Sequence, residues 1–408
     1  MSAPRAAWVS ALSATLMMQT VGTFLSQSVP VVAPLMTAAL GLPPEAVGSF
    51  STLNTLGAIL FLLFGAPFVA RFGAARMLQL GALVGATALG VAALGWAATL
   101  PLAALLMGIG YGPTGPAGSR LLQATAPPRH RVLIFSVKQA GAPAGGALAG
   151  LVAAPVAAIW GWQAALLVGV SVALVAAGIL HRLRRGLDGD EDRTSTPVSL
   201  GTVFTAKTLR APLLALRLSP ILPPLCLQAF AFAAMQGALM SFCATWLVEV
   251  QGYSLAAAGQ TYAVMLAAGV AGRLGLGWFA DRMGDATRTL ALHGLVSASL
   301  ATLFVLGAPG APVGLVLLLA FGVGFTAMSW NGIFLAEVAR VVPATAVAEA
   351  SAGAILLCFL GYLLSPAAFA LTVAMTGSWT LPFLVAAALL ASVSLLVWGL
   401  ASAAKTRR

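Results

Sequence analysis

Long apolar stretches alternate with short polar segments along the whole sequence. Each stretch holds about 20 residues or more, the length that an α-helix needs to cross the hydrocarbon layer of a membrane. The alternating pattern of membrane β-strands is not seen, so helices are favoured over a barrel. We predict twelve transmembrane helices at 8–38, 47–70, 75–97, 100–124, 132–157, 162–182, 219–247, 257–280, 287–307, 313–336, 348–373 and 380–403.

Composition agrees with a membrane protein. Charged residues make up only 8% of the chain, whereas soluble globular domains carry about 25%. The first apolar run extends from Trp8 to about Thr37, far beyond the 7–15 apolar residues of a signal peptide, so we interpret it as the first span. Three cysteines have neither metal nor disulfide spacing and are expected to be packing residues: Cys226, Cys243 and Cys358.

The net charge of +11 suggests nucleic-acid binding in a soluble protein, but its distribution here has another cause. Six predicted hairpins hold no Lys or Arg, namely 39–46, 97–100, 157–163, 249–256, 307–313 and 374–380. The alternate loops and the C-terminus carry the cations, as cytoplasmic segments of membrane proteins do. We therefore predict an inner-membrane protein with both termini in the cytoplasm, and we expect no nucleic-acid partner.

The two halves of the sequence repeat each other. The stretches that begin at Gly41 and Gly252 match at an offset of 211 residues. A long polar stretch separates the halves, and its second part, Leu200–Leu218, has the pattern of an amphipathic helix on anionic lipid. We predict an N-terminal six-helix bundle at 1–183, a cytoplasmic linker at 184–218 and a C-terminal six-helix bundle at 219–408.

A duplicated loop signature carries a family resemblance. The pattern Gly-x-x-x-Asp-Arg-x-Gly is complete at Gly277, Asp281, Arg282 and Gly284, and the first half retains Arg71 and Gly73. In these loops and in its twelve spans the chain resembles the major facilitator superfamily. The resemblance implies an all-α fold of two pseudo-symmetric six-helix bundles, a substrate path at their interface and alternating access. It also implies that these loop residues form a conformational lock.

Arg273 lies inside an apolar helix, four residues before Gly277 and eight before Asp281, roughly 12 Å into the membrane. An arginine there costs about 2.5–3.5 kcal/mol on insertion scales, and its guanidinium is well shaped to grip a carboxylate. The position is similar to that in monocarboxylate transporters and oxalate/formate exchangers, in which this arginine binds the substrate carboxylate. A pairing with an acid or with helix-end carbonyls is the structural alternative.

Two further cations lie within or at the edges of spans. Lys138 shares a helix face with Gly141 and Gly145, and we predict that this face packs against the other bundle. Lys138 then either contacts substrate or forms a lock with Asp281, and a buried lysine can also take part in proton coupling. Arg120, near the cytoplasmic end of the fourth span, either contacts substrate or extends toward the interface.

Uncharged polar residues at mid-membrane depth are further candidates for substrate contacts or for hydrogen bonds between helices: Gln19, Asn54, Gln236, Asn331 and the adjacent Trp330. The cores of spans 1–6 contain no acid, and Glu337 and Glu349 flank the loop between spans 10 and 11. A net positive cavity favours anions. The histidines His130, His181 and His293 are expected near the membrane interface.

These observations predict a secondary active transporter that moves a small organic anion, such as a carboxylate. A proton-coupled drug or amphiphile efflux antiporter is the alternative, since part of its span-5 motif is present at Gly141, Pro143, Gly145 and Gly146. A non-transporting membrane sensor is a remote alternative. Because nucleotide-binding, catalytic and metal-binding patterns are absent, we expect no enzyme activity, cofactor or metal. The expected partners of a monomer are the anion, the lipid bilayer and a coupling proton or counter-substrate.

Overall fold

The computed structural model describes residues 3–127, 131–187, 214–283, 285–343 and 346–406. Within these ranges the chain is almost entirely helical, because in lipid a helix satisfies its own backbone polar groups. The first half contains α1 (Ala3–Ala39), α2 (Val47–Phe64), α3 (Ala66–Phe72), α4 (Ala74–Ala93), α5 (Leu100–Tyr111), α6 (Pro116–Thr125), α7 (Arg131–Leu148), α8 (Ala154–Trp160) and α9 (Trp162–Leu183). The second half contains α10 (Leu222–Glu249), α11 (Leu255–Met283), α12 (Ala286–Gly307), α13 (Val313–Ala327), α14 (Asn331–Val341), α15 (Val347–Thr376) and α16 (Thr380–Thr406).

Twelve helical segments in the described ranges are long and apolar enough to cross a membrane, which confirms the predicted spans. They are Ala7–Ala39, Pro44–Phe64, Ala74–Ala93, Ala97–Thr125, Val137–Trp160, Trp162–Leu183, Leu222–Glu249, Leu255–Arg273, Ala286–Gly307, Val313–Val341, Glu349–Thr376 and Thr380–Ala403. The protein is therefore an all-α, multi-pass membrane protein.

The described chain forms two compact units. The first contains residues up to 187 together with Leu247–Ala263, and the second contains residues 214–246 and the described residues from Val264 onward. Most of the linker predicted at 184–218 lies outside the described residues, as does most of its expected amphipathic helix. The bounds of the three predicted segments, 1–183, 184–218 and 219–408, remain predictions.

Helix α1 is the centre of the first unit and packs against α4, α7 and α9. Small residues allow the closest of these contacts: a Cβ at Gly141 would lie 3.0 Å from the carbonyl oxygen of Leu16, and one at Gly145 would overlap that of Thr20. The small-residue face of the fifth span therefore packs against α1 in the same unit. Our prediction that it packs against the other bundle was wrong, because spacing identifies a close-packing face but not its partner.

The second unit is organised around α10 and α12. Gln228 on α10 donates 2.9 Å hydrogen bonds to the carbonyl oxygen of Leu290 and to Oγ of Ser394, and thereby joins α10 to α12 and α16. A buried aromatic cluster fills the same core, with Trp246 against Phe304 and Phe383 at ring-centroid distances of 5.4 and 5.9 Å. This unit is held by large aromatic contacts, whereas α1 of the first unit relies on close backbone approach.

Two spans at corresponding positions in the halves are interrupted. The fourth span breaks at a 3-10 turn, Gly112–Thr114, between α5 and α6. The tenth span breaks at residues 328–330 between α13 and α14. Broken helices inside a membrane expose backbone groups and are tolerated where protein or a water-filled cavity meets them. The two breaks are therefore the natural places to look for a binding site.

The predicted second span, 47–70, is shorter in the structure. Helix α2 ends at Phe64, and α3 begins at Ala66 after Gly65. The predicted end at 70 missed this division, because the apolar run continues through Val69 without a change in hydrophobicity. Helix α3 then ends at Gly73, whose φ of 86° is in the region that favours glycine.

Candidate functional site

Arg273 on α11 lies at the break in the tenth span. Its Nε donates a 3.2 Å hydrogen bond to the carbonyl oxygen of Met328, the residue that ends α13. Carbonyls at a helix C-terminus carry partial negative charge and attract cations. The contact of Arg273 with helix-end carbonyls, which the sequence analysis gave as the structural alternative, is therefore present. The side chain is only partly buried, so it is not enclosed by this contact.

Glycines bring α11 close to this break. A Cβ at Gly272 would overlap the carbonyl oxygen of Phe325, and one at Gly269 would lie 2.7 Å from Cβ of Met328. Larger residues at these positions would push α11 away from the end of α13. The small residues before Arg273 thus set how far its guanidinium reaches toward the break.

Gln236 on α10 forms a polar cluster with two aromatic residues of the second unit. Its Oε1 accepts a 3.1 Å hydrogen bond from Nε1 of Trp330 and a 2.8 Å bond from the hydroxyl of Tyr362. Two donors on one oxygen fix the orientation of the carboxamide. Its Nε2 faces Sδ of Met240 at 3.6 Å, and a thioether is a weak acceptor. The cluster therefore presents an amide donor of fixed direction.

Trp330 is the buried aromatic residue of this cluster. Its side chain is fully buried and stacks on Phe232 with ring centroids 5.2 Å apart. Trp330 donates to Gln236, and its role as a substrate contact remains a prediction. Sequence reasoning missed Tyr362; the available signal was a tyrosine within a long apolar helix, since a buried hydroxyl usually needs a partner.

His293 on α12 is buried in the second unit, with 5% of its surface exposed. Its ring packs edge-on against Phe232, and Nε2 lies 2.7 Å from the carbonyl oxygen of Thr326. A contact with α13 thus buries His293 within its unit, and its place near the membrane interface remains a prediction. His181 is exposed as expected, and His130 lies outside the described residues.

The first unit contains a similar amide–aromatic pair. Nε2 of Gln19 donates a 2.9 Å hydrogen bond to the hydroxyl of Tyr111, the last residue of α5 before the break. Asn54 donates a 2.7 Å bond to Oγ of Ser26. Both amide oxygens are buried without a hydrogen-bond partner in the described part of the chain. Oδ1 of Asn331, beside the break of the second unit, has the same property.

Lys138 is buried inside the first unit, with only 2% of its surface exposed. Its Nζ donates a 3.3 Å hydrogen bond to Oε1 of the neighbouring Gln139, and its chain lies against Gly118 of α6. Arg120, two residues beyond Gly118, is exposed. The structure thus places these two predicted cations in different environments.

The predicted lock residues lie at the ends of α3 and α11. Arg71 is exposed, with its guanidinium 5.7 Å from the ring centroid of Phe72. Arg282 is also exposed. The surroundings of Gly277, the side chain of Asp281 and all of Gly284 lie outside what the structure describes. The lock, including a pair between Lys138 and Asp281, remains a prediction.

Glu337 is fully buried in α14, although we expected it in the loop after the tenth span. The helix extends to Val341, five residues beyond the predicted end. Both carboxylate oxygens accept 2.6 Å bonds from Arg340, and the hydroxyl of Thr287 also donates to this carboxylate. The buried acid is therefore charge-compensated within its own unit, so it adds no unmatched negative charge to the site.

Two units with broken fourth and tenth spans, each with a polar cluster beside its break, define a multi-pass protein with the construction of a secondary carrier. The family model of the Major Facilitator Superfamily matches residues 8–366. The chain therefore belongs to this superfamily. Membership confirms the family that the loop signature indicated.

Among its relatives is an uncharacterized MFS-type transporter of Mycobacterium tuberculosis (strain ATCC 25618 / H37Rv). The two are 26% identical over 282 residues, which cover 67% of this chain and 59% of the relative. The same match occurs in strain CDC 1551 / Oshkosh. The aligned part thus spans less than two thirds of the length of these curated relatives.

Solved transporters share the fold at low identity. A peptide transporter in complex with sulfate is 17% identical, with a TM-score of 0.74 over 96% of this chain and 94% of the other. A nucleoside transporter is 16% identical, with a TM-score of 0.74 over 95% and 99%. A D-xylose-proton symporter is 18% identical, with a TM-score of 0.71 over 96% of both chains. The named substrates of these three transporters differ and the identities are low, so the likeness shows the fold alone.

Proposed function

We propose that this chain is a secondary active transporter that moves a small organic anion, a carboxylate, by alternating access. The observation that carries the proposal is the position of Arg273: a permanent cation, partly exposed in a membrane helix, beside a broken span. A guanidinium does not lose its proton in proteins. Its cost in the membrane is best explained by a function that requires positive charge.

The geometry of the guanidinium suits end-on recognition. Nε is directed to the carbonyl oxygen of Met328, and this bond fixes the plane of the group. A carboxylate then approaches the opposite edge, formed by Nη1 and Nη2, with two parallel hydrogen bonds. Lysine at this position would keep the charge but would lose the planar pair of donors.

Gln236 is the proposed second donor in the same unit. Trp330 and Tyr362 occupy its oxygen, so the amide nitrogen is the group left to meet a ligand. A carboxylate oxygen is a far better acceptor than the sulfur of Met240, which that nitrogen now faces. The cluster therefore favours an anion over a cation or a donor-rich ligand.

Two acids of the second unit are paired with arginines, which also supports an anion. Glu337 is neutralised by Arg340, and Asp285 caps α12 and pairs with Arg288 at 3.5 Å. Neither acid offsets the field of Arg273 by an unmatched charge. A site with a net positive field concentrates anions and excludes cations.

A thermal-shift screen of the purified full-length chain tests the proposal. The probes are lactate, pyruvate, oxalate and benzoate, each measured with wild type, Arg273→Lys and the matched control Arg288→Lys. We expect at least one probe to raise the Tm of wild type and of Arg288→Lys but not of Arg273→Lys. Equal shifts in all three proteins would remove Arg273 from recognition, and no shift in wild type would argue against these carboxylates as substrates.

The runner-up function is proton-coupled efflux of amphiphilic compounds. This alternative predicts that transport persists in Arg273→Ala and does not depend on the charge of the substrate. Transport measured with Arg273→Ala therefore distinguishes efflux of amphiphiles from anion transport.

We also propose an inner-membrane monomer with both termini in the cytoplasm, on the basis of the alternation of basic loops. Fusing a reporter to either terminus and measuring its accessibility in cells tests this orientation.

A further inference from the structure

Lys138 is the cation that the proposed function does not use. It lies in the fifth span, inside the first unit, and 2% of its surface is exposed. The chain does not extend to an interface, since a Cβ placed on Gly118 would lie 3.0 Å from its Cε and 3.5 Å from its Nζ. Gly118 thus forms a niche that holds the end of the side chain within the helix packing.

Few hydrogen bonds are available in this niche. An ammonium has three donors, and among the described residues Nζ has one partner, Oε1 of Gln139 at 3.3 Å. The nearby hydroxyl of Thr15 is directed to the carbonyl oxygens of Ala11 and Leu12. A buried charge with so little compensation is costly unless a partner arrives.

The helices around the niche bring no acid to it. Helices α1 and α6 pack against α7, and the charged residues on all three are cations: Arg5 on α1, Arg120 on α6, and Arg131 with Lys138 on α7. Arg120 is exposed. From residue 3 to residue 187 the sequence contains a single acid, Glu45, in the hairpin after α1. A negative charge that pairs with the ammonium of Lys138 must therefore come from outside α1, α6 and α7.

We propose that Lys138 carries the proton that accompanies the transported anion. This inference rests on the proposed anion transport. Proton binding and anion binding are then linked reciprocally: the anion stabilises the ammonium, and the ammonium strengthens binding of the anion. Arg273 cannot take this role because its guanidinium stays protonated.

The proton step is balanced as follows. On the side where the anion enters, the neutral amine of Lys138 accepts a proton from hydronium, which forms an N–H bond and leaves water. On the other side the ammonium returns that proton to water as the anion departs. For a monocarboxylate such as lactate, one negative and one positive charge cross together, so the cycle is an electroneutral symport.

Transport by the full-length chain in liposomes tests the coupling. The probes are radiolabelled lactate and oxalate, with protein-free liposomes as a blank for passive entry. A pH difference of one unit supports up to about tenfold accumulation of lactate at a stoichiometry of one proton per anion. We expect Lys138→Met to lose this accumulation while it keeps a weaker but measurable exchange between equal concentrations on the two sides. The exposed Arg182→Gln is the matched loss of one positive charge and should keep both activities.

Two results in this assay would overturn the inference. The first is that Lys138→Met accumulates the probe as wild type does. The second is that Lys138→Met loses exchange and accumulation in equal proportion, as a structural or binding defect would cause. If wild type exchanges neither probe while the Arg273→Lys screen is also negative, the anion transport itself fails, and that failure is distinct from a loss of coupling.

A second measurement needs no ligand. The Tm of wild type, Lys138→Met and Arg182→Gln is recorded between pH 6 and pH 10. If Lys138 exchanges a proton in this range, the difference in Tm between wild type and Lys138→Met changes by several degrees with pH, whereas the difference for Arg182→Gln stays constant. A difference for Lys138→Met that is independent of pH would show that Lys138 does not titrate and would overturn the inference.

Discussion

Lys138 in the first unit and Arg273 in the second are both cations inside membrane spans, but their surroundings differ in kind. Lys138 is enclosed, and its one hydrogen bond within the described ranges goes to a side chain. Arg273 is partly exposed and is held by the carbonyl end of a helix. A group that can release its proton lies in the closed niche, and a permanent charge lies beside the break. The difference suggests a division between proton carriage and anion binding.

The scaffolds of the units are more alike than their charges. In each unit a glutamine of the first or seventh span bonds an aromatic residue beside a break in the fourth or tenth span: Gln19 with Tyr111, and Gln236 with Trp330. The orientation is reversed, since Gln19 donates and Gln236 accepts. The repeat thus preserved the position of the amide while the chemistry that it presents changed.

Among the variants that test this comparison, Arg273→Ala should cause the largest loss of affinity. Removing the anchor of a charged ligand typically costs about 2–5 kcal/mol, or thirtyfold or more in affinity. We expect a loss of that size for any carboxylate that stabilises wild type, measured by isothermal titration. Arg217→Ala, an exposed arginine of the second unit outside the predicted lock, provides the comparison; a similar loss there would point to long-range charge and not to a specific contact.

Gly108→Ala and Gly324→Ala test the shared scaffold. Each glycine precedes its break by four residues, and a Cβ would overlap the carbonyl oxygen of Asn54 or of Met265, respectively. We expect each variant to lose about 1–3 kcal/mol of stability, because backbone cannot move aside cheaply. Thermal unfolding of both variants measures this loss.

The matched controls are Gly90→Ala and Gly314→Ala, where a Cβ would meet nothing within 4 Å. These helix positions should be neutral or slightly stabilised, since glycine carries an entropic cost in a helix. Equal destabilisation at all four glycines would show that the close contacts before the breaks have no special role.

Gln236→Leu and Gln19→Leu compare the two amides directly. If the anion contacts the second unit, Gln236→Leu should weaken binding by about 1–2 kcal/mol, because a hydrogen bond to a charged group is lost. Gln19→Leu should have a smaller effect. The same titration measures both, and an equal or larger loss for Gln19→Leu would move the anion contact toward the first unit.

Tyr362→Phe should have the mildest effect. It removes one of the two donors that orient the Gln236 carboxamide, so we expect affinity to fall by about 0.5–1.5 kcal/mol. Tyr253→Phe is the matched control, because the hydroxyl of Tyr253 has no hydrogen-bond partner in the described ranges. If the two variants behave alike, Tyr362 does not position Gln236.

The spans could be predicted from sequence because hydrophobicity over 20 residues is a strong local signal. The break at Gly112–Thr114 is foreshadowed by glycine and proline, which loosen helices. The break at residues 328–330 carries neither residue, so local sequence gives no warning of it. Tertiary packing decides it.

Site residues were less accessible to sequence reasoning for a similar reason. Arg273 was identifiable because a cation in an apolar helix is conspicuous. The burial of Lys138 against Gly118 and of His293 against Phe232 depends on which helices meet, and periodicity does not encode that. Tyr362 was missed because its role depends on the position of Gln236, 126 residues away.

Competition between carboxylates and their amides tests the central claim most directly. Wild type is reconstituted in liposomes, and lactate with lactamide, and oxalate with oxamide, are compared as inhibitors of exchange of the radiolabelled acids. If the second unit recognises an anion through Arg273, the acids inhibit and the amides do not, and Arg273→Lys loses that preference. Equal inhibition by acid and amide, or an unchanged preference in Arg273→Lys, would contradict an anion-binding site at Arg273.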